Sequence, residues 1–157
     1  MDPIELVTPL ATWSAWGALG DEARKAPPLP GVYLARSGAT GPLLYVGHAG
    51  ERAASQPGLR GRLGVYARGR GAVSGLGEAA LGRALADPTF VRQRLHYLEQ
   101  GFSERAKDWA RAALAWTNVH VSWTVTEDKA SAKALEDRIL IALDKHELWN
   151  RLRPRLP

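Results

Sequence analysis

Apolar and polar residues alternate twice in quick succession in the first third of the chain. Gly31-Val32-Tyr33-Leu34-Ala35 forms one arm and Leu43-Leu44-Tyr45-Val46-Gly47 the other, with Ser37-Gly38-Ala39-Thr40-Gly41-Pro42 between them as loop chemistry. A period of two sends successive side chains to opposite faces. Val32 and Leu34 then share one face, and Gly31, Tyr33 and Ala35 the other. In the second arm Leu44 and Val46 share one face, and Leu43, Tyr45 and Gly47 the other. The pattern predicts a β-hairpin over about 31–36 and 43–47, with an aliphatic side and a side bearing two tyrosines. Glycine in such a strand lets another backbone or a ligand approach closely. Farther on, Val119, Val121, Trp123 and Val125 alternate with His120, Ser122 and Thr124, which predicts a third strand over about 119–125.

Helical spacing fills much of the remainder. Thr8-Pro9 is a helix start with Leu10, Trp13 and Trp16 as one stripe, closed off by Pro27-Pro28-Leu29-Pro30; residues 1–30 read as a lead-in whose tryptophans dock on the core. A polar loop is expected from His48 to Pro57-Gly58. Leu59 and Leu63 then mark the buried side of a helix over about 59–68, on which Arg62 and Tyr66 lie one above the other. Gly69, Gly71, Gly75 and Gly77 predict a mobile connection, without the Gly-Lys-Ser/Thr of a nucleotide-phosphate loop. Helices are expected over about 78–86, over 88–99 (opened by Asp87-Pro88) and over 103–115 (opened by Ser103). A last helix, capped by Asp128 or Ser131, runs to about His146, and Leu148-Trp149-Asn150 leads into an arginine-rich tail.

One position in that last helix breaks the pattern. At about 100° per residue, Ala132, Leu135, Ile139, Ala142 and Leu143 fill an apolar arc that Leu140 extends, and Glu136 falls inside it. A carboxylate facing a core is costly unless it is paired or bound to a metal. The angle alone leaves open a glutamate at the stripe's edge that reaches water.

Composition narrows the setting. The 157 residues, 45% hydrophobic and 24% charged, fit one domain over 1–157 with a core of its own. Without cysteine there is neither a disulfide nor a cysteine-ligated zinc module. No apolar run is long enough for a membrane span and no secretory leader is visible, so the expectation is a cytoplasmic protein with no membrane partner. The net charge of +5, carried mostly by arginine, suits a polyanionic partner, although compositional bias would give the same balance. His96, His120 and His146 lie in separate elements without ligand spacing.

Gly31-Val32-Tyr33 and Tyr45-Val46-Gly47, followed in order by Arg62, Tyr66, Glu136 and Asn150, resemble the signature of the GIY-YIG nucleases. The resemblance implies an α/β fold: a small central antiparallel or mixed three-stranded sheet flanked by helices. A helical insert over about 69–118 would lie between the second and third strands, movable and supplying substrate or dimer contacts but no catalytic group. It implies hydrolysis of DNA phosphodiesters with Mg²⁺ or Mn²⁺ held by Glu136, Arg62 neutralising the phosphate and Tyr33 acting as general base. Tyr45 and Tyr66 would orient water or phosphate, and Asn150 would fix local geometry or touch substrate. His48 stands where the family often has lysine. A tyrosine's ordinary pKa near 10 puts its phenolate about 4 kcal/mol uphill at neutral pH, and His48, Arg62 or a metal-bound water would have to favour it. A stand-alone chain of this kind resembles the family's restriction enzymes. A non-catalytic nucleic-acid-binding module and a nicking or single-strand-specific nuclease are the alternatives; RNA stays open beside DNA, as does a homodimer.

Overall fold

The computed structural model describes residues 1–50 and 57–154, so part of the loop expected after His48 and the end of the arginine-rich tail lie outside the described residues. The strands β1 (Gly17–Ala18), β2 (Gly31–Ser37), β3 (Leu43–Ala49) and β4 (Val119–Val125) form one antiparallel sheet in the order β1-β4-β2-β3. The architecture is mixed α/β. Three of the strands are those expected. The fourth, β1, comes from the lead-in and pairs Gly17 with Val121 and Ala18 with His120, so the sheet has four strands where three were expected. Two residues are too few to show a period of two.

The helix expected from Thr8 is likewise absent. A short helix α1 (Pro3–Val7) passes into a 3-10 turn over Thr8–Leu10, and the chain is extended at Ala11. The free edge of β4 explains the difference. Ser14 donates its backbone N–H to the carbonyl of Trp123 (2.8 Å), while its hydroxyl accepts from Trp123 N–H (3.0 Å). Continuing the helix would forfeit these bonds. Trp13 and Trp16 do pack on the core, and Trp13 Nε1 donates to the Val7 carbonyl at 3.1 Å.

The hairpin carries the predicted faces with one exception. Tyr33 pairs with Gly47 and Ala35 with Tyr45, but Arg36 pairs with Leu43, so Leu44 is an extra residue in a bulge. A bulge reverses the alternation beyond it. Leu43 therefore joins Val32, Leu34 and Val46 on the aliphatic face instead of sharing a side with Tyr45. The glycines of the two arms permit close packing. A Cβ on Gly47 would sit 2.3 Å from the Tyr33 ring, and one on Gly31 would sit 2.1 Å from the Thr124 carbonyl oxygen.

Helices cover both faces. Against the aliphatic face lies α7 (Lys129–Ala142), burying Ala132, Leu135, Ile139 and Leu140, joined by Val7. Asp128 caps it by accepting from Ser131 N–H (2.7 Å). It stops short of His146, because the Arg153 guanidinium takes up the carbonyls of Leu143, Asp144 and His146 beyond its last turn. On the tyrosine face lie α2 (Leu19–Lys25), α3 (Gly58–Ala67), α4 (Gly75–Leu85) and α6 (Ala106–Thr117). Between the last two, α5 (Pro88–Glu99) begins as expected, with the Asp87 carboxylate accepting from Thr89 and Phe90 N–H. The helix expected from Ser103 begins instead at Ala106, where Asp108 reaches back to the Arg105 N–H (3.0 Å).

Nor is the region 69–118 a movable attachment. Leu76 and Ala80 of α4 and Leu114 of α6 are buried with Tyr33, Leu59 and Tyr66 in the main core. Its glycines are closely packed rather than hinge-like: a Cβ on Gly71 would meet the Tyr66 ring at 2.5 Å, and one on Gly77 would meet the Gly71 carbonyl oxygen at 2.1 Å. Gly75, with φ of +50°, sits over both tyrosine hydroxyls, 2.5 Å from Tyr66 OH and 2.9 Å from Tyr45 OH measured from where its Cβ would be. No helix of the described residues is long and apolar enough to cross a membrane.

Candidate active site

Because β3 is the outer strand of the sheet, both of its faces and its free edge can border one space. A cleft of about 1100 Å³ lies there, lined by Tyr45, His48, Arg62, Glu136 and Asn150 among others. Alternation along β3 divides the work: Tyr45 lies on the face covered by α3 and α4, while His48, two residues on from Val46, lies on the face covered by α7. Arg62 comes from α3 and Glu136 from α7. Side chains far apart in sequence thus meet around one strand.

Glu136 is 8% exposed, inside the apolar arc as its helical angle predicts. Its Oε2 is 2.9 Å from His48 Nδ1 and 3.4 Å from Lys133 Nζ, and Lys133 also pairs with Asp137. Both contacts fall on Oε2, and among the described residues none falls on Oε1. Paired in this way, the carboxylate is not left without polar partners in the apolar arc. As a metal site it supplies one hard oxygen ligand, and among the described residues no three His, Cys, Asp or Glu side chains gather as a ligand set. Among the described residues there is therefore no all-protein cage. The arrangement fits Mg²⁺ or Mn²⁺ held through one carboxylate with water completing the shell, since Mg²⁺ usually keeps several waters.

The tyrosines divide into two levels. Tyr45 lines the cleft, whereas Tyr33 and Tyr66 are wholly buried beneath it and line none of it. Tyr33 OH donates to Tyr66 OH at 3.2 Å, and the Tyr33 ring is stacked on Tyr45 at 6.1 Å between centroids, 26° from parallel. Burial pushes the Tyr33 phenol well above its ordinary pKa; the neighbouring Tyr66 and Tyr45 add to the shift, and Arg62 opposes it. Burial also pushes Tyr45 up to about 12, helped by Tyr66 and Glu136. Both phenols are thus further from ionisation than a free tyrosine, and a base role for Tyr33 would need the opposing pull of Arg62 or a bound cation.

The Arg62 guanidinium carbon lies 5.6 Å from the centre of the Tyr66 ring. Burial works against its charge, but Tyr33, Tyr66 and Tyr45 together outweigh this and hold it more firmly protonated. Its Nε is buried without a hydrogen-bond partner. The residue itself borders the cleft, where a fixed cation is suited to an incoming anion.

Asn150 does what one of its two expected roles requires. Its Oδ1 accepts from Val46 N–H (3.0 Å) and its Nδ2 donates to the Val46 carbonyl (2.7 Å), closing the free edge of β3. Trp149 N–H adds a bond to the Leu44 carbonyl (2.7 Å). Sequence reasoning missed several other residues of the cleft. Lys133, three residues before Glu136 on the same helix, was legible by spacing. Glu78 and Arg83 were not, because α4 read as part of an insert; Arg83 lies over the Trp149 ring (4.4 Å) and Glu78 pairs with Arg151 (2.9 Å). No protein-family model, curated protein or solved structure matches the chain.

Proposed function

We propose that the chain is a divalent-metal-dependent nuclease of the GIY-YIG type that hydrolyses DNA phosphodiesters in the cleft at the β3 edge. One observation carries the reading: a buried, paired carboxylate and an arginine with an unused buried donor border the same open cleft, on opposite sides of one strand. Glu136 would hold Mg²⁺ or Mn²⁺, which when bound supplies Lewis acidity to the phosphate and the leaving oxygen. Arg62 binds the non-bridging oxygens and offsets the charge that grows on them as the attacking oxygen adds. Tyr45 presents a neutral hydroxyl to the same phosphate. Tyr33 and Tyr66 stand behind it, fixing Arg62 and the Tyr45 ring.

The water's proton goes to a group that reaches the cleft, and for this His48 is better placed than Tyr33. Its Nδ1 is committed to Glu136, which leaves Nε2 with no partner among the described residues. An imidazole oriented by a carboxylate and offering its other nitrogen is the usual arrangement of a histidine base.

The test is incubation of the protein with supercoiled plasmid, single-stranded DNA and RNA, with Mg²⁺ or Mn²⁺ and with chelator, alongside Glu136→Gln. Metal-dependent strand scission by the wild type, lost in Glu136→Gln while DNA is still bound, is the expected result. Equal cutting in chelator, or by Glu136→Gln at the wild-type rate, would overturn it. The single-stranded and RNA arms decide which polymer is preferred.

A further inference from the structure

The helix α5 is held to the body along one side only. Phe90 is buried between the rings of Trp109 (6.4 Å) and Trp116 (5.9 Å) of α6, and Arg94 pairs with Glu104 (3.0 Å) while lying over Phe90 and Tyr97. On the adjoining side Pro88, Val91, Leu95 and Leu98 are exposed, Leu95 by 49% and Leu98 by 58%. Their spacing of three, four and three residues is the a/d pattern of a heptad repeat, the narrow seam by which one helix packs on another. Among the described residues nothing covers it. Phe102, 65% exposed just past the helix end, extends the apolar surface.

Charge selects the occupant. Arg92 and Glu99 are seven residues apart, both exposed and on the same flank of the seam. If a second copy of α5 is turned end for end about a two-fold axis, this flank meets itself reversed. Arg92 of each copy then faces Glu99 of the other, giving two reciprocal pairs. A parallel arrangement would need the opposite flank, whose arginine, Arg94, is already engaged by Glu104 and mostly buried. We infer that α5 is an antiparallel self-association helix and that its partner is a second copy of this chain.

The helix is already formed in the monomer, so association does not have to order it. A seam of four or five side chains per copy is nonetheless well below a standard interface, which makes the dimer weak and concentration-dependent. The inference is independent of the nuclease reading.

Sedimentation equilibrium of the full chain, from low micromolar to near-millimolar concentration, tests it. The wild type should pass from monomer to dimer, and Leu95→Glu should weaken the dimer at least tenfold. Arg92→Glu and Glu99→Arg should each be monomeric alone, because each sets like charges opposite one another, and an equimolar mixture of the two should restore the dimer. All three positions are exposed, and circular dichroism confirms that each variant is folded. A wild type monomeric throughout, a dimer indifferent to Leu95→Glu, or a mixture that fails to reassemble would each overturn the inference.

Discussion

Replacing Asn150 with alanine separates a residue that holds the strand from one that holds the substrate. The wild-type amide satisfies both backbone groups of Val46, at 3.0 and 2.7 Å, on a strand edge with no further neighbour in the sheet. A hydrogen bond of this kind contributes about 0.5–1.5 kcal/mol net, and more when its loss strands a buried partner. Asn150 lines the cleft, so water can reach the vacated groups, and the lower range applies. Two bonds then amount to roughly 2 kcal/mol. For a chain of this length about 2–4 °C of melting temperature goes with each kcal/mol, so Asn150→Ala should melt roughly 4–8 °C lower. Asn150→Asp sharpens the test, because it keeps an acceptor for the Val46 N–H but sets a carboxylate oxygen against the Val46 carbonyl. At neutral pH it should be at least as unstable as the alanine variant, and it should recover in part once acid protonates the carboxyl and restores a donor. Urea titration and thermal scans monitored by circular dichroism read all three proteins. If Asn150→Ala melts within 1 °C of wild type yet loses DNA cleavage, the amide belongs to substrate and the strand-edge reading is wrong.

Two further outcomes follow from the tyrosine cluster. Tyr33→Phe removes one buried hydrogen bond, to Tyr66 OH, and should cost about 1 kcal/mol while leaving the single-turnover cleavage rate within tenfold of wild type. His48→Ala should lower that rate by orders of magnitude, and the reverse ranking would return the base role to Tyr33. Burial raises the Tyr45 phenol from 10 in the unfolded chain to about 12 when folded. The folded state therefore keeps its proton after the unfolded state has lost it, so the stabilisation is complete below pH 10 and drains away between about 10 and 12. The linkage amounts to about 2–3 kcal/mol, and alkaline unfolding of Tyr45→Phe should show a correspondingly shallower slope over that interval; an identical slope would contradict the burial reading.

The sequence revealed what a regular period or a single out-of-place residue could reveal. The hairpin showed its two faces because alternation runs through both arms, and Glu136 stood out because its helical angle falls inside an apolar arc, although the angle alone did not separate burial from a place at the stripe's edge. What stayed hidden depended on partners remote in sequence. Leu43 changes face because of a bulge whose cause is pairing register, which no local pattern records. Ser14 abandons a helix because the edge of β4 offers bonds from more than a hundred residues away. The glycines between 69 and 77 looked like a flexible connection, since glycine signals freedom and close contact by the same absence of a side chain. Only the rings of Tyr66 and Tyr45 lying against them decide between the two.

On the proposed nuclease reading, charge around the cleft argues for a particular order of binding events. Most of its cations already have partners. Arg151 pairs with Glu78, Arg153 is bound to carbonyls at the end of α7, and Lys133 bridges Glu136 and Asp137. Arg83 lies over the Trp149 ring. Among the described residues Arg62 makes no salt bridge, and its Nε has no acceptor at all. The paired arginines near the surface are cheap to recruit, because exposed ion pairs contribute about 0–1 kcal/mol and are readily exchanged for phosphate. Arg62 differs in being enclosed, where a matched anion gains more than it would in water. A polyanion would therefore be gathered first by the outer arginines, in a manner sensitive to salt. It would then be fixed at one phosphate by Arg62, where the shielding of the cleft would make salt matter less. Binding that loses its salt dependence in Arg62→Ala rather than in Arg151→Ala would invert this order.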